Sequence, residues 1–388
     1  MRRWLMRRSG LVALAAMLVL TGVPGVRADE PEPLAWEALG PTEQPVWELF
    51  TPTSGALLVR NGQGLFRSDD GGLTWRSAQQ PEQTDTVTVP PVDHDLLYAA
   101  GASGVYRSTD GGGTWEQVSD LGDLWRQIEV SPADPNVLDG MATIKTEDAR
   151  GTTYQYNTRV SHDAGRSWDV THTFEDLIVS GSYPCGYSVR LQPHAVTSTR
   201  LMMIEGCTVR DDPTSKMSVD EGRTSAYFPN VEQFPWGTNA AVGGQGASPD
   251  RWYVSAYEPK ILYSRIHHSK VLRTDDDGAS WTTVYEDDSG PPYRGTAKPM
   301  DFVSTLTYDP QHPDDVFAVF ERYEPNADRY EELKPKGFTV RMSRDAGVTW
   351  SELGARELPS VFRLAVGVDG HYLYASTRTG VYRLALGQ

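Results

Sequence analysis

The chain has 388 residues, with 36 Lys and Arg against 52 Asp and Glu, for a net charge of −16. Such acidity argues against a nucleic-acid or anionic-membrane binder, whose phosphates it would repel, and 10% aromatic content argues against a disordered polyanion. Two cysteines are too few for a disulfide scaffold or a Cys-rich zinc module.

Arg2, Arg3, Arg7 and Arg8 open the chain, Leu11 to Val23 is apolar, and Val26-Arg27-Ala28 sets small residues at the −3 and −1 positions. This is the plan of an export signal, residues 1–28, cleaved after Ala28. The apolar run is short for a membrane span, and no cysteine follows to take a lipid. Arg7-Arg8 hints at twin-arginine export, but Gly10 fits that signal poorly, so general secretion is preferred. Residues 1–28 hold five arginines and no acid, so residues 29–388 carry −21. The expectation is a secreted, periplasmic or cell-surface protein with no membrane span in the mature chain.

From Leu34 onward a repeat organises the sequence. Ser68-Asp69-Asp70-Gly71-Gly72-Leu73-Thr74-Trp75 reads S-x-D-x-G-x-T-W. The string returns with Asp110, Asp163, Asp276 and Asp345 in the third place, and a degenerate copy around Asp220 carries Ser225 where the tryptophan should stand. Short β-prone runs flank each copy, such as Val105-Tyr106-Arg107 and Trp115-Glu116-Gln117-Val118, so each reads as strand, tight turn, strand. The Ser and Asp oxygens can accept backbone N–H groups inside the turn, the Gly can take a positive φ, and the Trp is expected to pack under the next unit. Upstream lies a second turn between apolar runs, as in Val130 to Leu138 and Tyr308 to Phe317. Six boxes mark six four-stranded units. Tyr372–Ala375 and Gly380–Arg383 begin a seventh that lacks its last strand, and Leu34–Leu39 resembles the missing piece.

The repeat resembles the Asp-box, or BNR, repeat of β-propellers, over residues 34–388. The resemblance implies an all-β, seven-bladed β-propeller, residues 29–388, its ring closed by the N-terminal strand. The box acids Asp70, Asp110, Asp163, Asp220, Asp276 and Asp345 are then structural turn-formers. Asp275-Asp276-Asp277-Gly278 lacks the spacing and distal Glu of a calcium loop, and no metal or cofactor is expected.

In such a ring the boxes share one face with the first turn of each unit, and longer loops occupy the other. Crossovers 173–186, 229–237 and 286–301 and loops 257–269 and 323–336 are expected there. They bring Trp236, Tyr257, Glu258, Tyr263, Arg265, Tyr293, Arg294, Tyr323, Arg329 and Tyr330, aromatics with Arg and Glu that suit glycan or peptide binding. Adjacent His267 and His268 would point to opposite sides of a strand and are read as surface residues. Cys185 and Cys207 lie at the same end of one predicted hairpin, and export permits a disulfide between them.

Function is less legible. Sialidases resemble this family, but the F/Y-R-I-P string of their first arginine is missing between Asp29 and Phe66, and Tyr263-Ser264-Arg265-Ile266 stands in the wrong place. Xyloglucan-cleaving glycosidases are similar to two such propellers with a cleft between them. Photosystem II assembly factors are similar to a single seven-bladed ring, and sortilin-type ectodomains have more blades. The reading is an exported, monomeric binding or assembly module for an extracellular glycan or protein, with no nucleic-acid partner. The alternatives are a glycoside hydrolase using loop-face carboxylates such as Glu258, Glu324 or Asp328, and a photosystem-assembly-like chaperone.

Overall fold

The computed structural model describes residues 35–40, 44–51, 55–90, 95–148, 151–174, 178–179, 189–205, 215–227, 237–243, 248–260, 265–287, 299–326, 329–354 and 358–387. The proposed export signal and both cysteines lie outside these residues. The first strand, β1 (Glu37–Leu39), precedes seven antiparallel sheets. β2–β5 (Val46–Phe50, Leu57–Asn61, Gly64–Ser68, Arg76–Ala78) form the first, and β6–β9 (Thr84–Thr88, Leu97–Gly101, Gly104–Ser108, Glu116–Ser119) the second. β10–β13 (Leu124–Val130, Leu138–Asp148, Gly151–Ser161, Asp169–Thr173) form the third, joined by the short β14 (Ile178–Val179) on β12. β15–β18 (Val189–Pro193, Leu201–Glu205, Ser215–Ser218, Ala226–Tyr227) and β19–β22 (Gly237–Gly243, Trp252–Lys260, Arg265–Thr274, Thr282–Asp287) follow. β23–β26 (Met300–Tyr308, Val316–Asn326, Arg329–Ser343, Ser351–Glu352) are the sixth. β27–β29 (Val361–Val366, Tyr372–Thr377, Gly380–Ala385) take β1 as fourth strand, in register Glu37↔Arg383 and Leu39↔Val381. The chain is a seven-bladed β-propeller closed as the repeat predicted, and no helix occurs among the described residues.

Apart from the added β14, each sheet is four strands with one buried face per neighbour, so the core is divided among the blade junctions. Leu39, Tyr374 and Val381 of the closing blade meet Val46, Leu57 and Val59 of the first. Met202 meets Trp252, Val254 and Leu272 between the fourth and fifth, and Tyr253 and Val271 meet Val303, Leu306 and Phe320 between the fifth and sixth. The buried apolar surface therefore holds blades together rather than filling a centre.

The box turns have one geometry. Ser68 Oγ donates to Asp70 Oδ1 at 2.8 Å and accepts the Gly72 N–H at 2.8 Å. Asp70 accepts the Thr74 N–H at 2.8 Å and the Thr74 hydroxyl at 2.6 Å. The same set recurs at Asp110, Asp163, Asp220, Asp276 and Asp345. The tryptophans correct one expectation: Trp75, Trp115, Trp168, Trp281 and Trp350 join the junction with the preceding blade, not the next. The box sets this direction. Trp75, Trp168 and Trp350 donate Nε1–H to their own box glycine carbonyls at 2.8–3.0 Å, which lays each ring back over that side.

A second device links blades at the box face. The residue between box Asp and Gly is left-handed in every copy: Gly71, Gly111, Ala164, Glu221, Asp277 and Ala346. At three of these turns, an arginine near the end of the preceding blade's third strand reaches over this residue. Arg383 donates to Gly71 O at 3.1 Å, Arg67 lies against Gly111, and Arg273 donates to Ala346 O at 3.0 Å. At three junctions that arginine is replaced, by Val160, Met217 and Met342, and where the first two meet a box the left-handed residue is acidic, Glu221 and Asp277.

Candidate functional site: the mouth of the central channel

The first strands of neighbouring blades touch in sequence, β2 with β27, β27 with β23, β23 with β19, β15 with β10 and β10 with β6, so they line the axis. Six of these seven strands bulge near their start: between Val46 and Glu48, Thr84 and Thr86, Trp125 and Gln127, Thr238 and Ala240, Val303 and Thr305, and Val361 and Arg363. A bulge sets two residues against one and re-aims their side chains. Here the apolar residues three apart stay buried, as in Val46 and Leu49, Trp125 and Ile128, and Val361 and Leu364. The pairs between them, Trp47-Glu48, Arg126-Gln127 and Phe362-Arg363, reach solvent.

The bulges lie on the face opposite the boxes. Trp47 is 47% exposed, and a Cβ placed on Gly62, in the turn between the second and third strands, would stand 3.5 Å from its ring. Glu48 holds Arg60 by two bonds, Nε to Oε2 at 2.7 Å and Nη2 to Oε1 at 2.9 Å. Burial pushes the Asp85 carboxyl up, against the pull of Arg126 and Arg60. Deeper in, the Gln127 amide clamps the backbone of the next inner strand, donating to Leu191 O at 2.9 Å and accepting Leu191 N–H at 2.7 Å. It also donates to Glu129 at 2.7 Å, and Thr88 Oγ1 donates to Glu129 at 3.1 Å. Burial still raises the Glu129 carboxyl above its usual range, and the neighbouring Glu48 adds to this.

Arg190 in β15 and Arg363 in β27 stand on the axis-lining strands of nearly opposite blades, and the charge of one acts on the other. Arg190 is reached by solvent yet enclosed by protein, and burial first, then the Arg363 guanidinium, brings its pKa down to about 10. Among the described residues neither has an ion pair or hydrogen bond, and Glu129, on which the Arg363 charge acts, is pushed toward its neutral form by burial. Two cations held close without a direct counter-charge favour an anion between them. No three metal-ligating side chains converge in the mouth among the described residues.

The sequence-predicted residues fall around this site unevenly. Trp236, Tyr263, Tyr293 and Arg294 lie outside the described residues. Tyr257, Glu258, Arg265, Arg329 and Tyr330 are described in backbone only, and here the loop expectation is corrected. Segments 257–269 and 323–336 are largely strand: Glu258 pairs with His268, Lys260 with Arg265, Tyr323 with Pro335 and Asn326 with Arg329. Tyr257, Glu258, Arg265, Tyr323, Arg329 and Tyr330, taken for loop ligands, instead lie in strands that continue the sheets as long hairpins. Tyr323 is half-buried, edge-on to Phe302 at 6.4 Å, with its hydroxyl 3.1 Å from Glu321. The channel pairs were missed, though their signal is in the sequence: V-W-E-L, W-R-Q-I and V-F-R-L repeat an apolar-x-x-apolar string that breaks a strand's alternation by one residue.

No family model matches the chain, and no curated protein matches it in sequence. Solved structures do match in fold. A GH74 xyloglucanase from Xanthomonas campestris superposes with TM-score 0.58 and 18% identity over 90% of this chain and 53% of its own. A GH74 enzyme from Niastella koreensis gives 0.56 and 14% over 91% and 53%. The chain thus spans about half the length of these enzymes. An oligogalacturonate lyase in complex with manganese gives 0.57 and 10% over 92% of this chain and 97% of its own.

Proposed function

We propose that the chain is an exported, monomeric binding module of the Asp-box propeller type that captures an acidic extracellular glycan at the mouth of its central channel. The observation that carries this is the convergence of Arg190 and Arg363, without direct partners, in a solvent-reached space. A glycan carboxylate would supply the missing charge, and the exposed Trp47 ring offers a stacking surface for a sugar. The names of two similar folds, a xyloglucanase and an oligogalacturonate lyase, lend support to a polysaccharide ligand. The repeated Ser–Asp–Thr bonding supports the family. Export and a Cys185–Cys207 disulfide complete the reading. Immobilised protein offered a panel of acidic and neutral oligosaccharides tests it: acidic members are retained, and Trp47→Ala weakens their retention. Retention of neutral members alone overturns it.

One observation favours a second reading, glycoside hydrolysis. Glu48 and Glu129 sense each other in the channel but differ in environment, Glu48 tied to Arg60 and Glu129 buried and pushed toward its protonated form. Such hydrolysis uses two carboxyl groups held in unlike settings. Release of sugar from an aryl-glycoside, abolished by Glu129→Gln, would establish it in place of binding alone.

A further inference from the structure

The fourth and fifth blades meet at one of the three junctions that lack the third-strand arginine. Met217 stands in the clamp's place, and a cavity of about 580 Å³ opens there, lined by Met217, Arg200, Asp250 and the box turn Asp276–Ala279. Into this region points His194, which follows β15. It is 1% exposed, and its Nε2 has no hydrogen-bond partner. Nε2 lies 3.5 Å from Asp250 Oδ1 and 3.8 Å from Asp277 Oδ1. All three candidate ligand atoms fall within 4.8 Å of one another.

These separations are too long for good hydrogen bonds. The two histidine–carboxylate separations come close to another length: ligands at about 2.0–2.1 Å from a tetrahedral metal stand roughly 3.3–3.5 Å apart. We propose that His194 Nε2, Asp250 and Asp277 form a divalent-cation site of the zinc class that ties the fourth blade to the fifth. One imidazole with two carboxylates is a donor set such ions accept. Asp277 is placed for it. Its N–H donates to Asp250 O at 2.9 Å, joining the two turns, and its Oδ2 is held by Arg200, leaving Oδ1 toward the histidine. Oδ1 also accepts Trp252 Nε1–H at 3.2 Å, which a carboxylate oxygen can do while ligating. The bound form gives up the Val196 N–H contact to His194 Nδ1, already long at 3.3 Å, because the ring proton moves to Nδ1. The cation would do at this junction what Arg67 and Arg273 do at theirs.

The test is Zn²⁺ binding by equilibrium dialysis, with thermal unfolding, on the full chain and on Asp250→Asn and His194→Gln. Asp250 is half-exposed, so its variant keeps the metal-free Tm of the parent. The expected result is one Zn²⁺ per parent chain with a Tm that rises with Zn²⁺ concentration, affinity about tenfold or more weaker in Asp250→Asn, and no Tm response in that variant. Equal Zn²⁺ affinity and Tm response in the parent and Asp250→Asn, or no Zn²⁺ bound by the parent, would overturn the proposal.

Discussion

The Arg67 guanidinium crosses from the first blade to the second and occupies the space where a side chain at Gly111 would begin, 3.2 Å from Asp95 Oδ1. Gly111 has φ +70°, so it meets both a conformational and a steric demand. Gly111→Ala is therefore expected to cost about 1–3 kcal/mol, read by urea denaturation. Ala346→Gly, at an equivalent turn where Arg273 bonds only the backbone carbonyl, should stay within about 1 kcal/mol of the parent.

The box carboxylates should set the acid limit of the fold. The Thr74 hydroxyl, then its N–H, hold Asp70 down to about 2, and Thr349 does the same for Asp345. A carboxyl lowered on folding contributes stability that is complete above its unfolded value near 4 and is lost as pH falls through about 2. The expected Tm is flat from pH 5 upward in this respect and drops between pH 4 and 2. Asp70→Asn should lower Tm at pH 7 more than at pH 2, where the parent carboxyl is itself protonated.

Asp139 has the opposite sign. It is buried with both carboxylate oxygens unpartnered, and burial, then Glu221 and Glu129, raise it to about 8. A carboxyl raised on folding costs nothing below its unfolded pKa, and the cost grows as pH rises toward 8. Asp139→Asn should leave Tm at pH 4 little changed and raise it at pH 8. A Tm lowered equally at both pH values would show that the carboxylate has an important partner.

Much of this architecture is written in local chemistry. The box string needs only residues within one turn, as in Ser68, Asp70 and Thr74, so it was legible from Leu34 onward, and the match of Leu34–Leu39 to a missing fourth strand foretold β1 on β29. The long hairpins were not legible. Tyr257, Glu258 and Tyr323 have the composition of both a binding loop and a strand, and only pairing partners such as Ser269 and Pro335 decide between them. The channel mouth was hidden for another reason. Arg190 and Arg363 are 173 positions apart, and their approach depends on closing a ring that brings the fourth and seventh blades to one axis.

That closure is itself testable. β1 covers β29, and Arg383 ties Glu37 at 2.7 Å and Gly71 O at 3.1 Å, joining the closing strand to the first blade. A chain starting at Pro41 exposes the β29 edge. It should unfold at clearly lower temperature and associate on size-exclusion chromatography; an unchanged Tm and a monomer would contradict the role given to β1.

The central claim is that two arginines make the channel mouth a site for a carboxylate-bearing glycan. The most direct measurement is calorimetric titration of the full chain, and of Arg190→Ala and Arg363→Ala, with a de-esterified oligogalacturonate and with a neutral xyloglucan oligosaccharide. The account predicts binding of the acidic oligosaccharide, weakened about tenfold or more by either substitution, and little binding of the neutral one. Acidic binding that survives both substitutions, or a preference for the neutral oligosaccharide, would contradict it.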